Sequence, residues 1–189
     1  MRPNLFLARV LYGNSNNIVN FASRVINQRN LQSMNNQFSP KISEVLIYSK
    51  EEALRLHNEC VAPEHLLLGL IRDGEGKAIQ ILRLLNLDFR SVKLRAEQSI
   101  QGSAMQEMPD ADHEIILNEK ASKIMRLCLL EARMLKAQVA DTEHILLAIM
   151  KEKDNNACRI LEENSIHYTD ILNLLTQNCL LYTSPSPRD

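Results

Sequence analysis

The sequence predicts an all-α domain made of a duplicated unit of four short helices, and three observations lead there. First, two ten-residue stretches write one helix twice: Pro63-Glu64-His65-Leu66-Leu67-Leu68-Gly69-Leu70-Ile71-Arg72 and Thr142-Glu143-His144-Ile145-Leu146-Leu147-Ala148-Ile149-Met150-Lys151. Each opens on a helix-starting residue, continues as an apolar run and ends in a cation. Second, the copies align without a gap at an offset of 143 − 64 = 79 residues. At that offset Ser43 meets Ser122, Glu52-Ala53 meets Glu131-Ala132, Leu56 meets Leu135, Ala78 meets Ala157, Ile81-Leu82 meets Ile160-Leu161, and Phe89 meets Tyr168. Third, each copy holds only short helices with an apolar stripe apiece, too little to bury itself alone, so the two copies are expected to pack as one eight-helix domain with a pseudo-twofold axis.

Taken in order, residues 1–33 stand apart. They are rich in Asn, carry Arg2, Arg9, Arg24 and Arg29, and contain no Asp or Glu. The preferred reading is translated upstream sequence before a natural start at Met34. An acid-poor, Arg-bearing transit peptide is the alternative, and a folded helix is disfavoured by Gly13, Ser15 and the scattered Asn residues. The first repeat, 34–100, opens at Phe38-Ser39-Pro40, an N-cap hydroxyl followed by Pro at the first helical position, where its missing N–H costs nothing. Ile42, Val45, Leu46, Ser49, Ala53 and Leu56 recur at helical spacing, predicting a helix over about 40–57. Pro63 opens the second helix, Asp73-Gly74-Glu75-Gly76 closes it, Lys77 to Leu85 forms the third, and Asp88 caps a fourth running to about Ile100.

Residues 101–113, with Gly102, Ser103, Pro109 and several acids, read as a linker, and 114–178 as the second repeat. From Cys179 the pattern stops. Residues 179–189 read as a disordered tail derived from a translated sequencing adapter, with a Ser-Pro linker as the alternative; Pro185 and Pro187 forbid helix there.

Composition narrows the function. A 189-residue chain with 45% hydrophobic residues and a formal net charge of −1 is globular and has no basic excess for nucleic acid or an anionic membrane. Aromatics, at 4%, leave little for base stacking. Nothing approaches eighteen consecutive apolar residues. The cysteines at 60, 128, 158 and 179 make no CxxC pair, which favours a reducing compartment with buried or free thiols.

Catalytic motifs fail in turn. In Gly69-Leu70-Ile71-Arg72-Asp73-Gly74-Glu75-Gly76-Lys77-Ala78, Glu75 stands where a phosphate-binding loop needs Lys, so this reads as a turn between helices. The adjacent Glu-His pairs do not set two zinc ligands on one helix face, so a packed or capping role is expected for both histidines. No serine sits in a strained elbow. The chain is therefore expected to be no enzyme, with no cofactor or metal of its own.

These motifs resemble a known family. Phe38-Ser39-Pro40, Glu51-Glu52-Ala53-Leu54-Arg55-Leu56, the stretch from Pro63 to Gly76 and its second copy are similar to the duplicated N-terminal repeat (Clp R) domain of Clp/Hsp100 unfoldases, nearest to the ClpC type, over about 34–178. The resemblance implies a docking domain that captures adaptor proteins and protein substrates for an AAA+ ring feeding a ClpP-type peptidase. ATP and Mg would belong to ATPase modules that this chain does not contain. A stand-alone double-repeat adaptor without an ATPase is the alternative. It further implies a cytoplasmic protein, or an organellar one if 1–33 is a transit peptide, with an isolated domain that is monomeric.

In that family the domain binds phosphoarginine at two equivalent sites. Carried over by resemblance, the first would use Ser39 and Glu64, and the second Asn118 and Glu143 with Thr142 beside it. Helix amides suit a phosphate and a carboxylate suits a guanidinium. Two departures are visible. Pro63 lacks both hydroxyl and amide donor, and Glu119 puts negative charge at a helix start.

Overall fold

The computed structural model describes residues 37–101 and 115–181. The leader, Met34, the linker beyond Gln101 and the tail beyond Leu181 lie outside the described residues. The helices are α1 (Pro40–Arg55), α2 (Pro63–Asp73), α3 (Lys77–Leu84), α4 (Phe89–Gln101), α5 (Glu119–Met134), α6 (Thr142–Lys151), α7 (Asn156–Glu163) and α8 (Tyr168–Leu181). Starts coincide at the 79-residue offset for every pair: α1 with α5, α2 with α6, α3 with α7, α4 with α8. One expectation is corrected. The chain from Cys179 to Leu181 is the end of α8 rather than the start of a disordered tail, because nothing before Pro185 breaks a helix.

Local signals account for the starts. Ser39 Oγ accepts the Ile42 N–H of α1 at 3.3 Å, Asn118 Oδ1 accepts the Ala121 N–H of α5 at 2.8 Å, and Asn155 Oδ1 accepts the Cys158 N–H of α7 at 2.7 Å. Asp88 Oδ1 accepts from Arg90 N–H at 3.1 Å at the head of α4.

The ends were harder to read. α1 stops at Arg55, two residues before the predicted end, because His57 enters the left-handed region at φ 56°. His57 N–H then reaches Leu54 O at 3.1 Å and Asn58 N–H reaches Ala53 O at 2.9 Å, the paired bonds of a Schellman cap. Asn86, Lys136 and Ser165 close α3, α5 and α7 in the same way, at φ 57°, 56° and 61°. None is glycine, the residue by which such caps are recognised in a sequence.

The repeats are interlocked rather than stacked. A two-residue strand, β1 (Cys60–Val61), pairs in parallel with β2 (Ile116–Leu117) from the other repeat. Its symmetry mate is the Phe38–Ala140 bridge. An all-α pattern hides both, since two residues show no alternation.

The core forms around α2 and α6. Pro63 to Leu70 and Thr142 to Met150 are buried on every face, as befits helices at the centre of a domain. α1 lies on α2 and α5 on α6, while α3 packs across onto α6 and α7 onto α2. Where α1 and α2 meet, Gly69 approaches so closely that a Cβ there would lie 2.7 Å from Val45 O.

Candidate functional site

The interlocking decides which predicted site residues meet. Ser39 N–H donates to Ala140 O at 2.8 Å, and its mate Asn118 N–H donates to Val61 O at 2.9 Å. Ser39 at the head of α1 therefore stands beside Asp141-Thr142-Glu143 at the head of α6. Asn118 at the head of α5 stands beside Ala62-Pro63-Glu64 at the head of α2. The expected grouping of Ser39 with Glu64 and of Asn118 with Glu143 is thus crossed: each junction takes one partner from each repeat. Pro63 and Glu119, which the sequence assigned to different sites, fall at the same junction.

The two junctions differ in chemistry. At α1/α6, Asp141 Oδ1 accepts both the Ser39 hydroxyl and the Thr142 N–H, each at 2.8 Å. Thr142 Oγ1 accepts the Ala78 N–H at 3.3 Å. Lys77 Nζ pairs with Glu143 Oε1 at 3.2 Å, and Glu143 Oε2 is buried with no hydrogen-bond partner among the described residues. At α2/α5 the residue equivalent to Asp141 is Ala62 and that equivalent to Lys77 is Asn156. There Glu64, 6% exposed, has no hydrogen-bond partner among the described residues. It lines a cavity of about 510 Å³ together with Asn58, Asn118, Lys120, Asn156 and Arg159. Lys120 is tied to Asp154 at 3.0 Å on the rim.

Both histidines are caps. His65 Nδ1 accepts the Ala62 N–H and His144 Nδ1 accepts the Asp141 N–H, each at 2.9 Å. An acceptor Nδ1 requires the neutral ring with the proton on Nε2, which in His65 faces Asn58 Oδ1 at 3.0 Å. Burial, opposed by Glu52 and reinforced by Arg55, lowers the His65 pKa from 6.5 to about 4. The unfolded chain thus binds the proton more readily, so stability present at neutral pH is lost as pH falls from about 6.5 through 4. His65 is expected to account for about 3 kcal/mol of that loss. The check is urea unfolding between pH 7 and 4.5: the stability–pH slope of His65→Gln should be shallower than that of the native chain.

Sequence reasoning missed two buried carboxylates. Glu52 and Glu131, 4% and 1% exposed, occupy equivalent places on α1 and α5. Glu52 is held by Arg55 Nε at 2.9 Å and Arg72 Nη1 at 3.1 Å. Glu131 takes Lys151 and the Tyr168 hydroxyl, the latter at 2.7 Å. Burial and that hydrogen bond push the Tyr168 phenol up to about 12. The signal lay in the repeat itself, since the acid on the apolar face and the cation ending the Glu-His stretch are both duplicated. Cys128 and Cys158 are fully buried, and burial raises both thiols, which keeps them protonated.

A family model described as the Clp repeat (R) N-terminal domain matches residues 37–164. The chain belongs to this family. The Clp repeat domain is 34% identical over 146 residues to the negative regulator of genetic competence ClpC/MecB of Bacillus subtilis, covering 75% of this chain and 17% of that protein. Identity is 34% over 146 residues to the chaperone protein ClpB of Oceanobacillus iheyensis, with 75% and 17% covered. For the ATP-dependent Clp protease ATP-binding subunit ClpA homolog of Porphyra purpurea it is 32% over 136 residues, with 71% and 16% covered. Among solved structures, the Hsp104 N-terminal domain of Candida albicans superposes with a TM-score of 0.61 at 17% identity, covering 79% of this chain and 93% of that one. The N-terminal domain of ClpD from Arabidopsis thaliana gives 0.60 at 16%, covering 77% and 96%. The Clp repeat domain spans about 17% of the length of the ClpC and ClpB relatives, and the family match is to the repeat region, not to an ATPase module. Consistent with that, Gly69 lies inside α2 and Gly74 is its left-handed C-cap, so the Gly-rich stretch is a helix end.

Proposed function

We propose that this chain is the N-terminal docking domain of a ClpC-like AAA+ unfoldase, taking up adaptor proteins and marked protein substrates for delivery to a ClpP-type peptidase. The observation that carries the reading is Glu64: a glutamate 6% exposed, with no hydrogen-bond partner among the described residues, lining a cavity where two helices begin. Such a carboxylate is an acceptor for a guanidinium, and the first amides of α5 with Arg159 are donors that an anion could use, beside the acids Glu59 and Asp154 that also line the cavity. One ligand group with both features is the phosphorylated guanidinium of phosphoarginine.

The test is titration of the full chain with one peptide in its arginine and phosphoarginine forms. Preference for the phosphorylated form by at least tenfold, lost by about that factor in Glu64→Ala, is expected. Equal affinity for the two forms, or a Glu64→Ala chain that binds as well as the native one, rules out this ligand.

A further inference from the structure

The outer face of α5 differs from that of its counterpart α1, although the two helices are repeats of one another. We infer that α5 carries a docking seam for an acidic amphipathic helix of a partner protein. The inference rests on the docking reading in that it names the chemistry of one partner, and the seam shares no residue with the cavity at Glu64.

Spacing defines the seam. Leu127, Leu130 and Met134 recur at intervals of three and four, the a, d and a positions of a heptad. Leu127 is half-buried against the core, whereas Leu130 and Met134 are 47% and 64% exposed. Arg126 and Arg133 occupy successive g positions and are exposed along one flank. Neither meets a carboxylate among the described residues: Arg133 donates to Gln37 Oε1 at 3.3 Å, and Arg126 has no side-chain partner there at all. Lys136, exposed just beyond the helix, likewise pairs with no acid among the described residues. The other cations of α5 are satisfied, Lys120 by Asp154 and Lys123 by Glu152. The exposed acid of α5, Glu119, stands about two turns before Arg126. On the opposite flank the e position is Glu131, buried and held by Lys151 and Tyr168. An apolar strip edged by unpaired positive charge is complementary to a helix with apolar a and d residues and acids beside them.

Other occupants fit less well. In a parallel pairing of two copies of this chain each g arginine would face the buried, already paired Glu131, and in an antiparallel pairing arginine would face arginine. A membrane surface calls for a wider apolar face with interfacial aromatics, and α5 has neither Phe nor Trp. The seam is also missing from α1, where Tyr48, Glu51 and Arg55 stand at the equivalent positions. There Arg72 lies over the Tyr48 ring and pairs with Glu51, while Arg55 pairs with Glu52 and Glu97. The first repeat thus satisfies this face with its own ion pairs, and the second leaves it open.

Fluorescence anisotropy of the full chain tests this with a labelled helix-forming peptide of two heptads, Leu at a and d and Glu at e and g, and a twin with Lys at e and g. At low salt the native chain is expected to bind the Glu peptide about tenfold more tightly than the Lys peptide. Arg126→Glu with Arg133→Glu should reverse that preference, and Leu130→Ser with Met134→Ser should weaken the Glu peptide by about tenfold. Both double variants are expected to melt as the native chain does, because all four side chains are exposed. Arg126→Gln with Arg133→Gln, expected to abolish the preference, serves if charge reversal unfolds the domain. Glu64→Ala should bind the Glu peptide as the native chain does, so failure at the seam and failure of phosphoarginine binding are read separately. No binding of the Glu peptide, equal affinity for the two peptides, a charge-reversed chain that still prefers the Glu peptide, or a serine variant that binds it undiminished overturns the seam and leaves the phosphoarginine reading standing. Binding to phosphatidylserine vesicles in preference to the Glu peptide overturns it in favour of a lipid surface.

Discussion

Gly69→Ala is expected to destabilise the domain by about 2–3 kcal/mol, the upper part of the range for forcing an added methyl into a close-packed contact. The new Cβ would stand 2.3 Å from Ser49 Oγ, 2.7 Å from Val45 O and 3.0 Å from Ser49 N. A rotamer change of Ser49 relieves the first of these only. The other two are backbone atoms of α1, so the helices themselves must part and lose close-packed contact with each other. Ser49 has little room to turn in any case, being fully buried with its hydroxyl donating to Val45 O at 2.7 Å. The second repeat has Cys128 and Ala148 at the equivalent places, so its α5/α6 contact is built around a Cβ. Thermal melting checks the prediction, with a fall of at least about 5 °C expected for a domain of this size. Ser49→Ala in the Gly69→Ala background should recover less than half of the loss. A melting point within about 1 °C of the native value for Gly69→Ala would show that α1 and α2 separate at no cost.

Lys151→Met should cost about 2–4 kcal/mol, near the lower part of the range for removing one partner of a buried pair, because the Lys151 side chain is 39% exposed and partly screened. It leaves the Glu131 carboxylate, 1% exposed, with the Tyr168 hydroxyl alone. The equivalent change in the first repeat, Arg72→Met, should cost less than half as much. Glu52 keeps Arg55 on Oε2, and Glu51, the other carboxylate that Arg72 holds, is 22% exposed, so no fully buried charge is stranded. A double-mutant cycle of Lys151→Met with Glu131→Gln, read by urea denaturation, separates the pair from the packing of each side chain. Recovery of most of the loss in the double variant is the expected outcome. An additive double variant would assign the cost to packing of the lysine stem.

Much of the architecture was legible in the sequence because duplication is a strong constraint. Helix starts announced themselves through Ser39-Pro40, Pro63 and Asp88, and in the structure Ser39, Asn118 and Asn155 satisfy the first amides of their helices. Helix ends did not, since His57, Asn86, Lys136 and Ser165 adopt a conformation that a reader expects of glycine. The histidines were read correctly as packed or capping residues. The burial of Glu52 and Glu131 went unread because an acid on an apolar stripe is normally taken as a break in the pattern, and only its partners on another helix show why it is tolerated.

The candidate site divides along the same line. The resemblance to the Clp repeat family marked Ser39, Glu64, Asn118, Thr142 and Glu143, and the repeat made Ser39 the counterpart of Asn118 and Glu64 that of Glu143. Spacing and capping act over a few residues, so the chain carries them in plain order. Which residues meet was set by the exchange of β1 with β2 and of Phe38 with Ala140 between the repeats, which pairs Ser39 with Asp141 and Asn118 with Val61 across more than fifty residues. Contacts at that separation depend on how two apolar surfaces fit, and α2 and α6, buried on all sides, offer many ways to fit when read as strings. Only the packed structure puts an aspartate into one junction and leaves a buried glutamate open in the other.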